Sequence, residues 1–482
     1  MSDVEFKAWL SGAGRRITLV EVDLAAPLYL ATVAYTTLPD DSPANRAYLP
    51  YVTHGFAFSE SLALSGEPSI SVGAIDLRND DGALDAWLEQ IWTNRAVRVY
   101  IGDVSWPRAD FRLVFDGIAA QLNVSGNRLS IVLRDKLQRL NTPITETELG
   151  GSTNNKDRLI PLTFGECHNI EALLIDPAQH QYQVHAGQIE RVIEVRDNGV
   201  PVDTTNTLAS GTFKLNKSPA GTITASVQGR STGGYSNTIA GIVQVLATQY
   251  GKSADRLDAG DLDSANLSAF NSAHPQAVGY HVRDRANVLQ ACQELAASVG
   301  AQVVMSRTGK LRLLQLALPG SGTPVAITPS DYEAKSLTIK ERPQVKAGVS
   351  LDFCRNWHVQ SGLETGIPAQ HKELFAREWL NVTAKDAGVA TAYRLHETPE
   401  AEDTCLLKRT DAQAEANRRL ALWSVQRTVY QIRGFAQCLL LELGQAVTLT
   451  GNRFGLEAGK TGVVIGLQLD WTIGRATVEV LV

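Results

Sequence analysis

Little in this sequence suits a membrane, a disulfide scaffold or a nucleic-acid partner. Across its 482 residues no window approaches the roughly 20 apolar residues that a bilayer-spanning helix needs, so no membrane segment is expected. Cysteine is scarce: Cys167, Cys292, Cys354, Cys405 and Cys438 lie far apart without C-x-x-C spacing. That excludes a disulfide framework and a zinc knuckle, and the five read as reduced thiols. Positive charge is not in surplus either. The 45 Lys and Arg against 51 Asp and Glu leave a formal net charge of -6, so no overall field draws the chain toward phosphates. The opening MSDVEFKAWLSGAGRR is broken by charges every few residues and lacks the apolar core of a secretory signal, so synthesis is expected to end in the cytosol.

What is present is ordinary globular material, 44% hydrophobic and 20% charged. The length exceeds what one core supports, which predicts roughly three or four domains. From about residue 15 to 140, runs such as ITLVEVDL, SISVGAIDL, AVRVYIG, FRLVFDGIAAQLNV and RLSIVLRD alternate apolar and polar positions and predict β-strands. One helix is expected among them in GALDAWLEQIW, where Leu84, Trp87, Leu88 and Ile91 recur at helical spacing after the Asp80-Asp81-Gly82 turn.

The polar stretch NTPITETELGGSTNNKD predicts a linker. Strands are expected near RLIPLTF, QYQVH and RVIEVRD, with Asp197-Asn198-Gly199 forming a hairpin turn that tolerates positive φ. Two amphipathic helices follow: NTIAGIVQVLATQYG, capped by Asn237 and stopped at Gly251, and RDRANVLQACQELAASVG, ending before Gly300. The hairpin AQVVMSRTGKLRLLQL completes a compact α+β segment. In the last third, strands surround one long helix over 410–429, where Thr410 with Gln413 fits a capping box and Ala412, Ala416, Leu420 and Trp423 form its apolar face.

The chain also echoes itself. The stretch from Ala96 to RLSIVL parallels the stretch from Ala446 to the last residues, both running strand, loop, strand. Ala96-Val97 aligns with Ala446-Val447, Gly117 with Gly466, Gln121-Leu122 with Gln468-Leu469, and Gly126 with Gly474. Two amphipathic meanders can match by chance. A true repeat would give the two ends copies of one β-domain, each with a helix packed on it.

Motifs that would carry chemistry fail one by one. GNRFGLEAGKTGVVIG contains Gly-Lys-Thr, but Gly455 and Gly459 are one residue too close for a phosphate loop and position 454 is Phe. The β-branched run that follows predicts a strand, so no helix N-terminus would face a phosphate. Cys354 and His358 could share a helix face, and Cys167 adjoins His168, yet a pair supplies two ligands where structural zinc needs four. The acidic runs with Asp258, Asp261 and Asp263 and with Asp80 and Asp81 lack the order and the distal Glu of a calcium loop; they read as turns and caps. The basic patches Arg134, Lys136, Arg139 and Arg418, Arg419, Arg427 are interleaved with apolar and acidic residues and read as solvated helix faces. No G-x-S-x-G elbow occurs, and no residue is assigned as catalytic, cofactor-binding or metal-ligating.

Several segments, in order, resemble the tail hub proteins of long-tailed bacteriophages. They are SISVGAIDLRNDDGALDAWLEQIWTNRAVRVYIG, KDRLIPLTFGECHNIEALLID with VIEVRDNGVPV, VLQACQELAASVGAQVVMSRTGKLRLLQL, and LELGQAVTLTGNRFGLEAGKTGVVIG. The resemblance implies a fold that is mainly β with α+β insertions, multidomain, with two tube-like β-barrel domains plus intervening β and α+β domains. Expected bounds are 1–145 for the first barrel with one helix, 155–230 for a β domain, 231–330 for an α+β domain, and 331–482 for the second barrel with the helix over 410–429. It further implies a structural virion protein rather than an enzyme. This would be a homotrimeric hub at the tail tip, made in the host cytoplasm, that joins the hexameric tail tube to a threefold central spike or fibre and other baseplate proteins. DNA would pass through without specific binding, and no cofactor is implied. The alternatives are a tail-associated cell-wall hydrolase and a hexameric distal tail protein with the same barrels.

Overall fold

Alternation fixes the strands from within. In RLSIVLR, Leu129, Ile131 and Leu133 are buried and the residues between them are not, which is the period of two of a half-buried strand. The computed structural model describes residues 2–12, 14–53, 56–64, 69–360, 363–396 and 398–482. The chain is mainly β with α+β insertions and packs as two compact units. The first gathers Met1–Gln138, Val304–Gln344 and Gln426–Val482; the second holds Arg139–Val303 and Val345–Val425.

Two sheets carry the first unit, and eight strands form their centres. They are β1 (Ala74–Arg78), β2 (Ala96–Asp103), β3 (Arg112–Ser125) and β4 (Arg128–Arg134), then β5 (Val429–Gly434), β6 (Ala446–Leu449), β7 (Lys460–Asp470) and β8 (Arg475–Leu481). One sheet runs Leu28–Ala31, Arg16–Val22, β2, β3, β4, β1. The segment 49–53 joins its two edges. The Ala31 amide donates to the Leu49 carbonyl at 2.7 Å, and the Arg78 amide donates to the Tyr51 carbonyl at 2.8 Å. The sheet therefore closes on itself, each of its edge strands bonded to this segment.

The second sheet runs Val325–Ile327, β6, β7, β8, β5, Thr338–Glu341, with Ala57–Ser61 pairing to β7 beside this path. Here the segment 325–335 makes the closure. Val325–Ile327 lies parallel to β6, and the Glu333 amide then donates to the Arg433 carbonyl on β5 at 2.8 Å. Both sheets feed one hydrophobic cluster that includes Ile75, Ile131, Ile432 and Val478. Each such side chain contributes about 1.5–3 kcal/mol by its burial.

The helix expected over Leu84 to Ile91 is only the 3-10 turn Asp85–Glu89. Leu88 is 44% and Ile91 71% exposed, so the apolar stripe buries nothing at its far end. The Trp92 indole donates to the Trp87 carbonyl at 2.8 Å and takes an acceptor that a longer helix would use. A helix the sequence reading did not foresee, Asp3–Ser11, is held by a Ser2–Glu5 capping box and buries Phe6 and Leu10.

In the second unit a five-stranded sheet runs Val200–Pro201, Ile189–Asp197, Ile223–Arg230, Leu162–Glu171, Gly279–Val282. The hairpin turn falls where expected: Asp197 pairs with Val200, and Asn198 and Gly199 have φ of 45° and 85°. The two helices form as Ile239–Gln249 and Val288–Ala297. The second is capped by Asn287. The first has Thr238 as N-cap rather than Asn237, because Thr238 is the last extended residue before the helix. Gly251, at φ 78°, ends its chain direction.

The long helix spans Arg409–Trp423, shorter than 410–429, and packs in this unit on the strands Gly348–Phe353 and Leu380–Lys385. Its N-cap is Lys408 with no side-chain cap, so the Thr410–Gln413 box does not form; the helix has already begun when it reaches Thr410. Ala412 and Ala416 are buried as expected, joined by Glu415 and Leu422.

Candidate functional site

The most informative geometry is the match between β1–β4 and β5–β8. Within each sheet the spatial order is the same, β2-β3-β4-β1 and β6-β7-β8-β5, all antiparallel. Val97 pairs with Gly117, and Val447 with Gly462. A Cβ on Gly117 would stand 2.6 Å from the Arg134 carbonyl, and one on Gly462 2.5 Å from that of Leu481. Each copy then has a one-residue bulge at the same place, Ala120 opposite Val132/Leu133 and Ile465 opposite Glu479/Val480.

The approach to the ladder is also duplicated. Asn94 (φ 62°) donates its amide to the Ala119 carbonyl at 2.9 Å, and Gly444 (φ 78°) donates to Val464 at 2.8 Å. Returning bonds run from the Ala119 amide to Arg95 and from the Val464 amide to Gln445. The parallel between Ala96 and Ala446 is therefore a repeat of strand order, register, bulge and turn. The residue alignment needs correction: Gly117 corresponds to Gly462, not Gly466, and Leu122 to Leu467, not Leu469. Two glycines four residues apart misled the sequence match, whereas hydrogen-bond register separates them.

The Gly-Lys-Thr loop occupies 450–459, between β6 and β7, as 104–111 lies between β2 and β3. Lys460 and Thr461 open a strand, and no helix begins there. The two loops are anchored by different chemistry. In the first, Arg108 Nη2 meets Glu21 Oε1 at 2.8 Å, the Tyr48 hydroxyl donates to the same oxygen at 2.6 Å, and the guanidinium lies 3.6 Å over the Tyr100 ring. Burial, and after it Glu21, pushes the Tyr48 phenol up. In the second, Leu456 is fully buried while the Tyr332 and Tyr430 hydroxyls donate to the Thr450 and Phe454 carbonyls at 2.9 and 3.0 Å. At its tip Phe454 is 38% exposed with φ 62°, a conformation bulky residues avoid, and is followed by Gly455 at φ 73°.

One strand of this unit is open to a partner. All four residues of Thr338–Glu341 are exposed, and among the described residues the strand pairs with β5 only. Exposed Ile339 beside a free row of backbone donors and acceptors is a template for strand addition. A cleft of about 190 Å³ in the same unit holds Glu60, Arg307, Arg312 and Glu442. Burial pushes the Glu60 carboxyl up to about 7, opposed by Arg307. No sequence signal marks Glu60, Glu21 or Arg108 as special, because each depends on residues distant in the chain.

The other residues singled out by sequence do not converge. Cys167 is buried and its thiol is pushed up by burial; His168 Nε2 faces Glu166 at 3.2 Å. Cys354 and His358 do not lie on a helix: Cys354 has φ 52°, and His358 Nδ1 faces Glu171 at 3.5 Å. Asp258 caps a 3-10 turn and Asp263 the helix Ser264–Ala273. Among the described residues no group of three His, Cys, Asp or Glu side chains is placed to hold a metal ion. Lys136 pairs with Asp116 at 3.0 Å, and Arg418 and Arg419 each reach Glu415 at 2.7 Å, so these cations serve internal pairs rather than a basic face.

No protein-family model matches this chain, and no curated protein matches it. Solved structures do. A tail protein from Neisseria meningitidis MC58 is 12% identical, aligned over 96% of each chain with a TM-score of 0.42. The prophage MuSo2 43 kDa tail protein from Shewanella oneidensis is 10% identical over 96% of this chain and 98% of its own, TM-score 0.36. Prophage tail protein gp18 from Listeria monocytogenes is 10% identical over 97% and 94%, TM-score 0.36. All three are described as tail proteins.

Proposed function

We propose that this chain is a structural tail protein, the central hub at the tail tip, acting as a homotrimer between a hexameric tube and a threefold spike or fibre. The single observation that carries the reading is the duplicated four-strand ladder. A ring of three chains would present six such ladders whose surrounding loops and flanks alternate, which is what a protein needs to meet sixfold neighbours on one face and threefold neighbours on the other.

On this reading the two copies are tube-like domains within 1–145 and 331–482, and 155–230 and 231–330 supply intervening β and α+β domains. Distal tail or tube proteins would sit above, and the spike and other baseplate proteins below. The net charge of -6 suits a wall along which DNA slides without being held. The exposed tip at Phe454 and the open strand Thr338–Glu341 are the surfaces offered to neighbours.

The test is the mass of the purified assembly by light scattering. Three chains per particle, with no turnover of peptidoglycan, is the expected outcome. A stable six-chain ring would favour the distal tail reading, and a monomer that clears peptidoglycan would favour a hydrolase.

A further inference from the structure

The second unit contains a cleft of about 260 Å³ that the tail reading does not use. Three aromatic rings form its walls. Trp357 meets Tyr280 edge-on at 6.2 Å, and the Arg355 guanidinium lies over both Trp357 and Trp379, 4.2 and 5.2 Å from their centroids. Two carboxylates, Glu294 and Asp403, line it as well.

Two of the polar groups, Glu294 and Arg355, are held in place. The Tyr280 hydroxyl donates to Glu294 Oε2 at 2.9 Å and Gln290 Nε2 to Glu294 Oε1 at 2.8 Å, so this carboxylate is oriented by both neighbours. Arg355 donates twice to Glu378 Oε1, at 2.8 and 3.1 Å, which fixes the plane of its fork. Asp403 sits opposite Asp352 in neighbouring parallel strands, and burial followed by Asp352 raises its carboxyl.

Flat apolar walls combined with fixed acceptors and a planar donor describe a ligand that is uncharged, hydroxyl-rich and apolar on its ring faces. An anion would meet the carboxylates, and a cation would meet Arg355. A sugar ring satisfies all three surfaces: its C–H face lies on the half-exposed Trp379 indole, on the side that Arg355 leaves open, while its hydroxyls donate to Glu294 and Asp403 and accept from Arg355. The volume is below that of a drug-sized site and suits one ring at the end of a longer chain. We infer that the cleft between Trp357, Trp379 and Glu294 is a saccharide-binding site that takes a terminal pyranose. It is independent of the hub reading, which rests on the ladders of the first unit, so either can fail alone.

The full-length protein should be titrated with glucose, galactose, rhamnose and N-acetylglucosamine to 50 mM, read by tryptophan fluorescence and saturation-transfer NMR, and applied to an array of bacterial polysaccharides. At least one sugar should bind. Trp379→Ala and Asp403→Asn, both at exposed or half-exposed positions, should each weaken it about tenfold with an unchanged melting temperature, and Glu294→Gln should do so while keeping its hydrogen bond from Tyr280. No binding to any sugar or to the array would overturn the inference. So would binding that all three substitutions leave intact, or preference for the cation agmatine over every sugar.

Discussion

The two halves of the first unit share a ladder and differ in everything that surrounds it. Both have the same strand order, the same crowded glycine and the same bulge. Yet β2 is flanked by the antiparallel strand Arg16–Val22, and β6 by the parallel strand Val325–Ile327. One loop is pinned by an ion pair, the other by Leu456. The difference teaches that register is the invariant part of a repeat. It is set by backbone pairing and side-chain alternation, where a one-residue slip would turn every buried residue outward. The flanks differ while the pairing within the ladder is kept.

The comparison can be broken most decisively in the core. Ile75 and Ile432 occupy matching positions, paired with Ile131 and Val478. Ile75→Ala and Ile432→Ala should each cost about 2–5 kcal/mol, and the two values should be similar. Chemical denaturation measures both, and a neutral result at one of them would mean the copies do not share the load. Next comes the contrast between loops. Arg108→Ala strands the half-buried Glu21 carboxylate and should cost on the order of 3 kcal/mol, with no counterpart in the loop 450–459. Thermal melts that show no loss would rule out the ion pair as the anchor.

Smaller is the effect at the crowded glycines. Gly117→Ala and Gly462→Ala each push a methyl against a backbone carbonyl that cannot move aside, so each should cost about 1–3 kcal/mol. Gly466→Ala, facing the Glu479 side chain rather than a backbone carbonyl, should be better tolerated.

The finest test sets one unit against the other by pH. Glu60 in the first unit is raised from 4.5 to about 7 by burial, with Arg307 opposing, Glu442 adding and Arg312 opposing. The folded state holds that proton more tightly, so this group's stabilisation is lost as pH rises from about 4.5 through 7. His281 in the second unit is lowered from 6.5 to about 3 by burial, with Arg283 next. There the unfolded state binds the proton more tightly, so stability falls as pH drops from about 6.5 toward 3. Glu60→Gln and His281→Asn should therefore flatten the stability profile in opposite directions. Profiles that both variants leave unchanged would refute the assignment.

Short-range features were legible in the sequence and long-range ones were not. Asn198-Gly199 declared its turn because two consecutive positive φ angles demand those residues. Asn287 declared its helix because its side chain caps Leu289 and Gln290 directly. The segment 84–91 misled because helical spacing says nothing about whether a core lies opposite, and Leu88 and Ile91 face water. The repeat was visible as a likeness, but its register required knowing which backbone faces Gly117. Gly-Lys-Thr is legible as no phosphate loop because the run after it alternates as a strand, a local property, and β7 is that strand. The cluster of Trp357, Trp379, Tyr280 and Glu294 gave no sequence signal, since its members come from two segments, 280–294 and 357–379, more than sixty residues apart and only folding brings them together.

The interleaving of the two units has a consequence for the order of events during synthesis. The chain passes between them four times, after Gln138, Val303, Gln344 and Val425. A ribosome working from the N-terminus has released every residue of the second unit once Val425 emerges, while β5 to β8 are still to come. The second unit can therefore finish folding first. The early strands β1 to β4 must wait with part of their shared core uncovered until the last segment arrives, and that interval is when the chain is most exposed to aggregation.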